Sequence, residues 1–292
     1  MTVLEIIQRS SDYLARKGVE SPRLQIELML GHVLQVPRLK LYLNFERSLT
    51  EAELNTLREM VQRRALREPL QHILGSSSFC GLELIVNRDV LVPRSETELL
   101  AERAWTFMLQ RASVNQARPS ALDFGTGSGC LAIAVAVKAP QAEVHAVDIS
   151  EAALEVARKN ARRHEISERV HFHEGDGFAA LPQGLRFDLL VSNPPYIPSQ
   201  EIASLQPEVR EHDPRTALDG GGDGLQYYRR LAAEAPAWLA RAGRIMLEFG
   251  DGQEEAIRRI FLDAQWAIEA VEKDYSGHPR ILTAHPAQPS GS

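Results

Sequence analysis

The run Asn193-Pro194-Pro195-Tyr196 combines residue types suited to recognising an N–H2 group. Its prolines fix φ and remove two backbone donors, so the backbone carbonyls and the Asn193 amide oxygen can face a substrate as acceptors. An amide nitrogen is a poor nucleophile, but the Asn193 side chain and the Pro194 carbonyl can hold its two protons and orient it. Positioning of this kind contributes about 7 to 11 kcal/mol, so no strong general base is required. We expect Tyr196 to pack on the planar amide; the alternative is a proline turn that ends a strand.

A glycine loop precedes this run in the chain. Gly125-Thr126-Gly127-Ser128-Gly129 follows an apolar strand and opens the helical run CLAIAVAV. Alternate glycines allow positive φ and a close approach of the backbone to a ligand at a helix N-terminus. Asp148 follows the next strand, where its carboxylate can accept hydrogen bonds from both ribose hydroxyls. Because Gly127-x-Gly129-x-x-Ala132 also fits the relaxed dinucleotide fingerprint, a nicotinamide cofactor stays open at this point.

A third loop, Glu174-Gly175-Asp176-Gly177-Phe178, follows the third strand of this region. Asp176 can accept from an adenine amino group, and Phe178 or the Gly177 backbone can supply a wall for the base. Gly-Asp-Gly is also ordinary turn composition, so a solvated turn is about as good an interpretation.

The elements that must position these loops alternate between apolar strands and amphipathic helices from Ser120 onward. This pattern predicts an α/β fold with a mainly parallel sheet, helices on both faces, and ligands at the carboxyl ends of the strands. The strands are predicted at residues 121–124, 144–147, 170–172, 189–192, 244–249, 267–271 and 280–283.

The first part of the chain has helical spacing instead, with a capping residue before Pro22 and a capping box at Thr50 and Glu53. A second capping box is predicted at Ser95 and Glu98. The predicted organisation is a helical domain, a β-hairpin linker with strands at 82–86 and 90–92, a catalytic domain and a flexible tail, with bounds at residues 1–74, 75–94, 95–284 and 285–292.

Composition limits the class of protein. The chain has 292 residues and a net charge of −6, and it has two cysteines, so it is not disulfide-built. The two cysteines fit a reducing cytoplasm. The longest apolar run, 130–137, is too short to cross a bilayer, which predicts a soluble protein. Residues 1–85 carry a net charge of +1 and the remainder −7, with no concentrated basic face for nucleic acid. The nine histidines show no paired spacing typical of metal ligands, so no metal site is predicted.

The sequence resembles the peptide chain release factor glutamine methyltransferases (the PrmC or HemK family) over nearly the whole chain. The matching segments are REPLQHILG, LVPRSETE, DFGTGSGC, AVDIS, SNPPYIP, PEVREHDPRTALDGGGDGL and KDYSGHPRIL, at residues 67–75, 91–98, 123–130, 146–150, 192–198, 207–225 and 273–282.

The resemblance implies a class I S-adenosylmethionine-dependent methyltransferase, Rossmann-like with seven strands, behind a small helical domain that docks the substrate protein. The substrate implied is the glutamine of the Gly-Gly-Gln loop of peptide chain release factors, methylated on its side-chain amide. The implied residues for S-adenosyl-L-methionine are Gly125 to Gly129, Asp148 and Gly177. Asn193 would lie near both cofactor and glutamine. Two positions depart from the family pattern: Ser95 replaces a common proline, and Gly177 a bulkier group.

The motifs taken alone are also compatible with other functions. An adenine-amino DNA methyltransferase uses a similar Asn-Pro-Pro motif but needs a grip on DNA, which the charge distribution argues against. A ribosomal-protein glutamine methyltransferase would share the chemistry and differ in docking. A nicotinamide oxidoreductase or a binding module without turnover are the more distant alternatives. We expect a monomer that binds release factors and neither nucleic acid nor membrane, with Glu208 and Arg210 as possible substrate contacts.

Overall fold

The structure is a computed structural model, and it describes residues 1–114 and 118–287. The chain forms two compact units: Met1–Ser76 with Leu205–His212, and Ser77–Ser204 with Asp213–Ser292. The helices are α1 Val3–Arg16, α2 Pro22–Leu34, α3 Arg38–Leu41, α4 Glu51–Ala65, α5 Leu70–Leu74, α6 Ser95–Val114, α7 Cys130–Lys138, α8 Glu151–Arg163, α9 Pro207–Arg210, α10 Gln226–Glu234 and α11 Glu254–Asp263. The strands are β1 Ser76–Phe79, β2 Leu82–Ile85, β3 Ser120–Phe124, β4 Glu143–Asp148, β5 Val170–Glu174, β6 Phe187–Ser192, β7 Leu239–Glu248, β8 Trp266–Lys273 and β9 Pro279–Pro286.

The first unit is the predicted helical domain. Its core is apolar, with Ile6, Ile26 and Leu30 among the fully buried side chains. The capping box at the start of α4 is confirmed, since Thr50 and Glu53 each accept from the other's backbone N–H. The expected cap at Ser21 is wrong: this residue has a left-handed backbone and makes no side-chain cap, so α2 begins on Pro22 alone.

The segment Leu205–His212, predicted to belong to the catalytic domain, groups with the helical unit instead. Its Glu208 carboxylate accepts from Arg64 Nη2 at 2.7 Å and from Arg67 Nε at 2.6 Å. Arg64 is 4% exposed, so its charge needs an anionic partner. Glu208 therefore has a structural role, and the expectation that it contacts substrate finds no support in this geometry.

Replacing Glu208 with Gln is expected to lower the free energy of unfolding by about 1 to 3 kcal/mol, because a buried guanidinium loses its counter-charge. Burial opposes ionisation, but the Arg67 and Arg64 hydrogen bonds lower the pKa of Glu208 to about 2. The stabilisation is therefore complete above pH 4.5 and is lost as the pH falls through about 2. Urea unfolding followed by circular dichroism at pH 7 and pH 3 measures the difference. A difference independent of pH would contradict this assignment.

The second unit contains the predicted sheet, and all seven predicted strands are confirmed. The strand order is β5-β4-β3-β6-β7-β9-β8, with β9 antiparallel to β7 and β8. The chain runs outward through β3, β4 and β5, and then returns to the other side of β3 with β6 and β7. The order therefore reverses between β3 and β6, and such a switch point opens a crevice beyond the carboxyl ends of the strands.

The hairpin in the structure begins one strand earlier in the chain than the hairpin predicted from the sequence. β1 and β2 form a two-stranded sheet joined by Cys80 and Gly81, whose φ values of 52° and 76° fit a type I′ turn. The residues expected to form the hairpin turn, 87–89, make an Asx turn in a loop, with Asn87 Oδ1 accepting from Asp89 N at 3.0 Å. A cysteine at a positive φ gives little sequence signal for a turn, which explains the error.

All of the hairpin except Ser76 belongs to the second unit, whereas the sequence predicted a linker. Asn160, fully buried on α8, donates to the Ile85 carbonyl and to the Ser128 carbonyl, at 2.9 and 3.0 Å. One side chain thereby joins β2 to the glycine loop.

Two further expectations from the sequence, the second capping box and the start of the tail, differ from the structure. Ser95 begins α6, and Glu98 Oε1 accepts from Cys80 N at 2.7 Å, so the second capping box is wrong. The last strand continues to Pro286, so its last two residues fall in the predicted tail, and residues 288–292 lie outside the described part of the chain. Of the helices described, none is long and apolar enough to cross a membrane.

Candidate active site

A deep cleft opens at the switch point of the sheet, and all the predicted motifs converge near it. Its empty space is about 1090 Å³, including the solvent at its mouth. The lining comes from the loops after β3, β4, β5 and β6, together with the segment before α6. The lining residues include 89–91, 93–94, 97, 124–128, 147–150, 175–177 and 193–195.

The glycine loop has the geometry of a ligand cradle. Gly125, Gly127 and Gly129 have φ of 75°, 54° and 82°, a region that L side chains rarely adopt. A Cβ on either of the first two would point into open space, whereas one at Gly129 would lie 3.0 Å from Ala157 Cβ. The first two glycines thus keep the cradle open, and the third lets α7 and α8 pack closely.

Asp123 supports the loop from beneath. Its Oδ2 accepts from the Thr126 hydroxyl at 2.6 Å and from Ala132 N at 3.0 Å. Burial raises the pKa of Asp123 to about 7, although these two hydrogen bonds oppose the shift. Within the described ranges, Asp123 Oδ1 is buried without a hydrogen-bond partner. A cationic ligand in the cradle would favour the ionised carboxylate.

Asp148 lies at the end of β4, where the sequence placed it. Its two oxygens accept from Gly127 N at 2.8 Å and Ser150 N at 2.9 Å. Burial raises the pKa of Asp148, and these backbone hydrogen bonds counteract it. Each oxygen keeps a lone pair, so the carboxylate can fix the glycine loop and also accept from a diol.

The loop after β5 is only partly as expected. Asp176 lines the cleft, but its carboxylate is exposed and paired with Arg230. Gly177 has a φ of 61°, and a Cβ there would lie 2.6 Å from the Phe124 ring. Phe178 belongs to the buried core, 5.0 Å from Phe124 and 5.7 Å from Trp238 between ring centroids, so it packs behind the cleft rather than forming its wall. Gly177 is thus required by the packing of Phe124.

The glycine-rich segment 218–224 packs against the Asn193-Pro194-Pro195-Tyr196 loop and is hydrogen-bonded to the residue that follows it. Ile197 N donates to Leu218 O at 3.0 Å, and Gly220 N donates to Ile197 O at 2.9 Å. A Cβ at Gly220 would lie 2.8 Å from the Pro195 carbonyl oxygen. The segment GGGDG is therefore a close backbone support for the motif, a role for glycine that does not require substrate contact.

Asn193 is oriented by two residues that the sequence analysis missed, Thr97 and Glu248. Asn193 Nδ2 donates to Thr97 Oγ1 at 3.1 Å. The Thr97 side chain is also hydrogen-bonded to that of Glu248, which is 2% exposed. When Glu248 is ionised it accepts the Thr97 hydroxyl proton, so Thr97 then accepts from Asn193. Asn193 must then present Nδ2 to Thr97, which leaves its Oδ1 as an acceptor.

The ionisation state of Glu248 determines which groups donate and which accept in the series of hydrogen bonds from Glu248 through Thr97 to Asn193. Burial raises the pKa of Glu248 to about 7, while the Thr97 hydrogen bond lowers it. A sequence signal for both residues exists in retrospect. Thr97 interrupts the apolar stripe of α6 formed with Leu100, Ala101 and Ala104, and Glu248 ends an apolar strand. A polar group in a buried position needs a partner, and here the two are partners of each other.

The expected stacking of Tyr196 on a substrate amide is not supported. Its ring packs against the core cluster that contains Phe249 and Tyr228, and burial raises the pKa of Tyr196 to about 12. Its carbonyl accepts from Gln253 Nε2 at 2.9 Å. Tyr196 thus anchors the loop, while Asn193, Pro194 and Pro195 line the cleft.

Comparisons with known proteins identify the family of this chain. The PrmC N-terminal domain model matches residues 5–75, and the methyltransferase small domain model matches residues 102–223. A release factor glutamine methyltransferase from Geobacter sulfurreducens is 44% identical over 96% of this chain and 95% of its own. One from Chlorobaculum tepidum is 43% identical over 97% of this chain and 96% of its own. The chain belongs to the release factor glutamine methyltransferase family.

Membership of this family agrees with the fold. A solved methyltransferase from Pyrococcus furiosus superposes with a TM-score of 0.50 at 18% identity, covering 71% of this chain and 90% of its own. At that identity the likeness concerns the fold alone. The seven-stranded, mostly parallel sheet of the second unit is that of class I methyltransferases, as the sequence predicted.

Proposed function

We propose that this member of the release factor glutamine methyltransferases transfers a methyl group from S-adenosyl-L-methionine to the side-chain amide nitrogen of the glutamine in the Gly-Gly-Gln loop of peptide chain release factors. The observation that carries the proposal is the orientation of Asn193. Its Oδ1 is left as an acceptor because Thr97 takes up its Nδ2, and the residue lines the cleft. An acceptor at this place suits a substrate nitrogen with two protons.

The residues present fit S-adenosyl-L-methionine. The open cradle of Gly125 and Gly127 admits a close approach, and Asp148 offers two acceptors to ribose hydroxyls. The buried Asp123 Oδ1 favours a cationic ligand nearby. Asp176, though paired with Arg230, keeps its second oxygen for an adenine amino group. When bound, this cofactor supplies an electrophilic methyl group on a positively charged sulfur.

The protein's part in the reaction is to hold and polarise the amide. Asn193 Oδ1 and the Pro194 carbonyl accept the two amide protons. The amide nitrogen would gain positive charge as it took the methyl group and the methyl–sulfur bond broke, and these two dipoles would stabilise that charge. The nitrogen would then lose one proton to solvent, after transfer, so no base is required beforehand. Thr97 and Glu248 keep Asn193 in the accepting orientation throughout.

One alternative, DNA methylation, is weaker on physical grounds. DNA methylation requires a grip on phosphates, yet the second unit carries an acidic excess. Transfer to a ribosomal protein would use the same cleft and differ only in docking. We further propose that the enzyme is a monomer and that it acts in the cytoplasm, because its proposed substrate is a translation factor.

Incubation with methyl-labelled S-adenosyl-L-methionine separates these functions. The proposed activity labels full-length release factor and leaves a DNA duplex and purified ribosomal proteins unlabelled. Label on the DNA alone, or on ribosomal proteins alone, would reject the proposed substrate.

Replacing Thr97 with Val is expected to lower kcat about 5- to 150-fold, because Asn193 loses the hydroxyl that fixes its orientation. Thr97→Ser keeps the hydroxyl and is expected to retain most of the activity. The dissociation constant of S-adenosyl-L-methionine, measured by calorimetry, should be nearly the same in both variants. If Thr97→Val and Thr97→Ser lose activity equally, the positioning role is wrong.

A further inference from the structure

Four side chains with metal-ligand chemistry meet on one face of the sheet, away from the cleft. Glu143 and His145 alternate on β4, and His171 and His173 alternate on β5. Side chains two residues apart on a strand share a face, and the register pairs His145 directly with His171. Glu143 begins β4, whereas the cleft lies beyond the last residue of that strand. We call these four residues the His/Glu cluster.

The distances in the cluster are close to those of a metal site. Glu143 Oε1 lies 2.9 Å from His171 Nε2 and 3.9 Å from His145 Nε2. One potential ligand atom from each of the three residues lies within 4.8 Å of the others. Around a tetrahedral Zn²⁺ with bonds of about 2.0 to 2.1 Å, ligand atoms are about 3.3 Å apart. Side-chain rotations that move each ligand atom by roughly 1 Å would therefore bring the three atoms within bonding distance of one ion.

His173 supplies the outer support that such sites need. Its Nε2 lies 2.9 Å from His145 Nδ1. If His145 Nδ1–H donates to this nitrogen, His145 Nε2 carries the lone pair that faces Glu143, which is the tautomer a metal requires. The His145 ring is also buried and packs edge-on against Phe187 at 5.3 Å between centroids. One ligand is thus held rigidly before any ion binds.

The other two ligands are open to solvent. The side chains of His171 and Glu143 are 42% and 44% exposed, so an ion can enter and a water molecule can complete the coordination. Two imidazoles and one carboxylate suit Zn²⁺, whereas Mg²⁺ and Ca²⁺ prefer oxygen ligands throughout. β5 is the edge strand of the sheet, with β4 as its neighbour.

We propose that Glu143, His145 and His171 bind one Zn²⁺ ion, which cross-links the edge strand β5 to β4, with His173 orienting His145. This proposal departs from the expectation from sequence that the chain has no metal site. Glu143 and His145 lie on β4 and the other two residues on β5, and only the register of the two strands brings them together. The site is structural and independent of methyl transfer.

The test uses the full-length chain without a histidine tag, stripped of metal by a chelator and then dialysed. Calorimetric titration with Zn²⁺ is expected to give one ion per chain. At a free Zn²⁺ concentration about 100 times the dissociation constant, Tm should rise by roughly 5 to 10 °C. Titration with Co²⁺ should give the visible absorption bands of a site with nitrogen and oxygen ligands.

Variants assign the ion to the cluster. His171→Ala and Glu143→Gln remove partly exposed ligands and should weaken Zn²⁺ binding by more than 100-fold, beyond the 10- to 100-fold expected for the supporting residue in His173→Ala. His278→Ala is the matched control, because His278 is an exposed histidine beside a carboxylate, Asp251, outside the cluster. It should bind Zn²⁺ like the unmodified chain. Circular dichroism of the metal-free variants checks their folding.

Two results would overturn the proposal. One is the lack of saturable Zn²⁺ binding by the unmodified chain. The other is binding that persists unchanged in both His171→Ala and Glu143→Gln, which would put the ion elsewhere.

Discussion

Asn193→Ala is expected to lower the rate of methyl transfer to release factor about 100- to 1000-fold, while S-adenosyl-L-methionine binds with nearly unchanged affinity. The reason is that the Asn193 oxygen acts on charge that develops at the substrate nitrogen during transfer, and removal of one such dipole costs about this much. Interactions made mainly in the transition state change kcat rather than binding. Single-turnover kinetics with saturating cofactor and release factor measures the chemical step directly.

Two controls make this result specific. Calorimetric binding of S-adenosyl-L-methionine to Asn193→Ala shows whether the cradle is intact, and Asn55→Ala, an exposed asparagine on α4, should leave the rate unchanged. Loss of cofactor affinity in parallel with the rate would show that Asn193 holds the cofactor rather than the amide.

Asp148→Ala is expected to weaken the binding of S-adenosyl-L-methionine about 100- to 10,000-fold. Two charge-assisted hydrogen bonds to the ribose diol are lost, each contributing about 1.5 to 3 kcal/mol. The same change removes the acceptor for Gly127 N and Ser150 N, so the glycine loop also loses its anchor. Titration calorimetry gives the dissociation constant. The rate of transfer at saturating cofactor should fall much less than the affinity.

Glu151→Gln is the matched control for Asp148→Ala. Glu151 is an exposed acid three residues further along, at the start of α8, paired with Arg158 at 2.7 Å. Its replacement should leave the dissociation constant unchanged. An unaltered affinity in Asp148→Ala would remove Asp148 from the ribose site.

Most of the fold could be predicted because hydrophobic periodicity decides it. The apolar strands of the second unit are bounded by loops with glycine, proline and aspartate, and their alternation with helices leaves few topologies. Asp148 and Asn193 could be placed at one edge for the same reason, since the ends of parallel strands meet there. The hairpin was misplaced because its turn uses Cys80 at a positive φ, a position normally filled by Asn or Gly.

The errors in the site have a common cause. Tyr196 and Phe178 are expected in the cleft because aromatic rings often flank ligands. In the structure, both rings pack in or against the apolar core instead. Thr97 and Glu248 were missed because their roles depend on a contact across 151 positions of the chain, between α6 and β7. The His/Glu cluster was missed for the same reason: its residue types are visible in the sequence, and its register is not.

The most direct test of the proposed function maps the methyl group. Release factor is incubated with this protein and methyl-labelled S-adenosyl-L-methionine, digested and sequenced by tandem mass spectrometry, alongside a release factor whose Gly-Gly-Gln glutamine is replaced by alanine. We expect one methyl group on the side-chain nitrogen of that glutamine, and no label on the replaced protein. Label that persists after the replacement, or a methyl group on another residue, would contradict the proposal that the Asn193 cleft selects this amide.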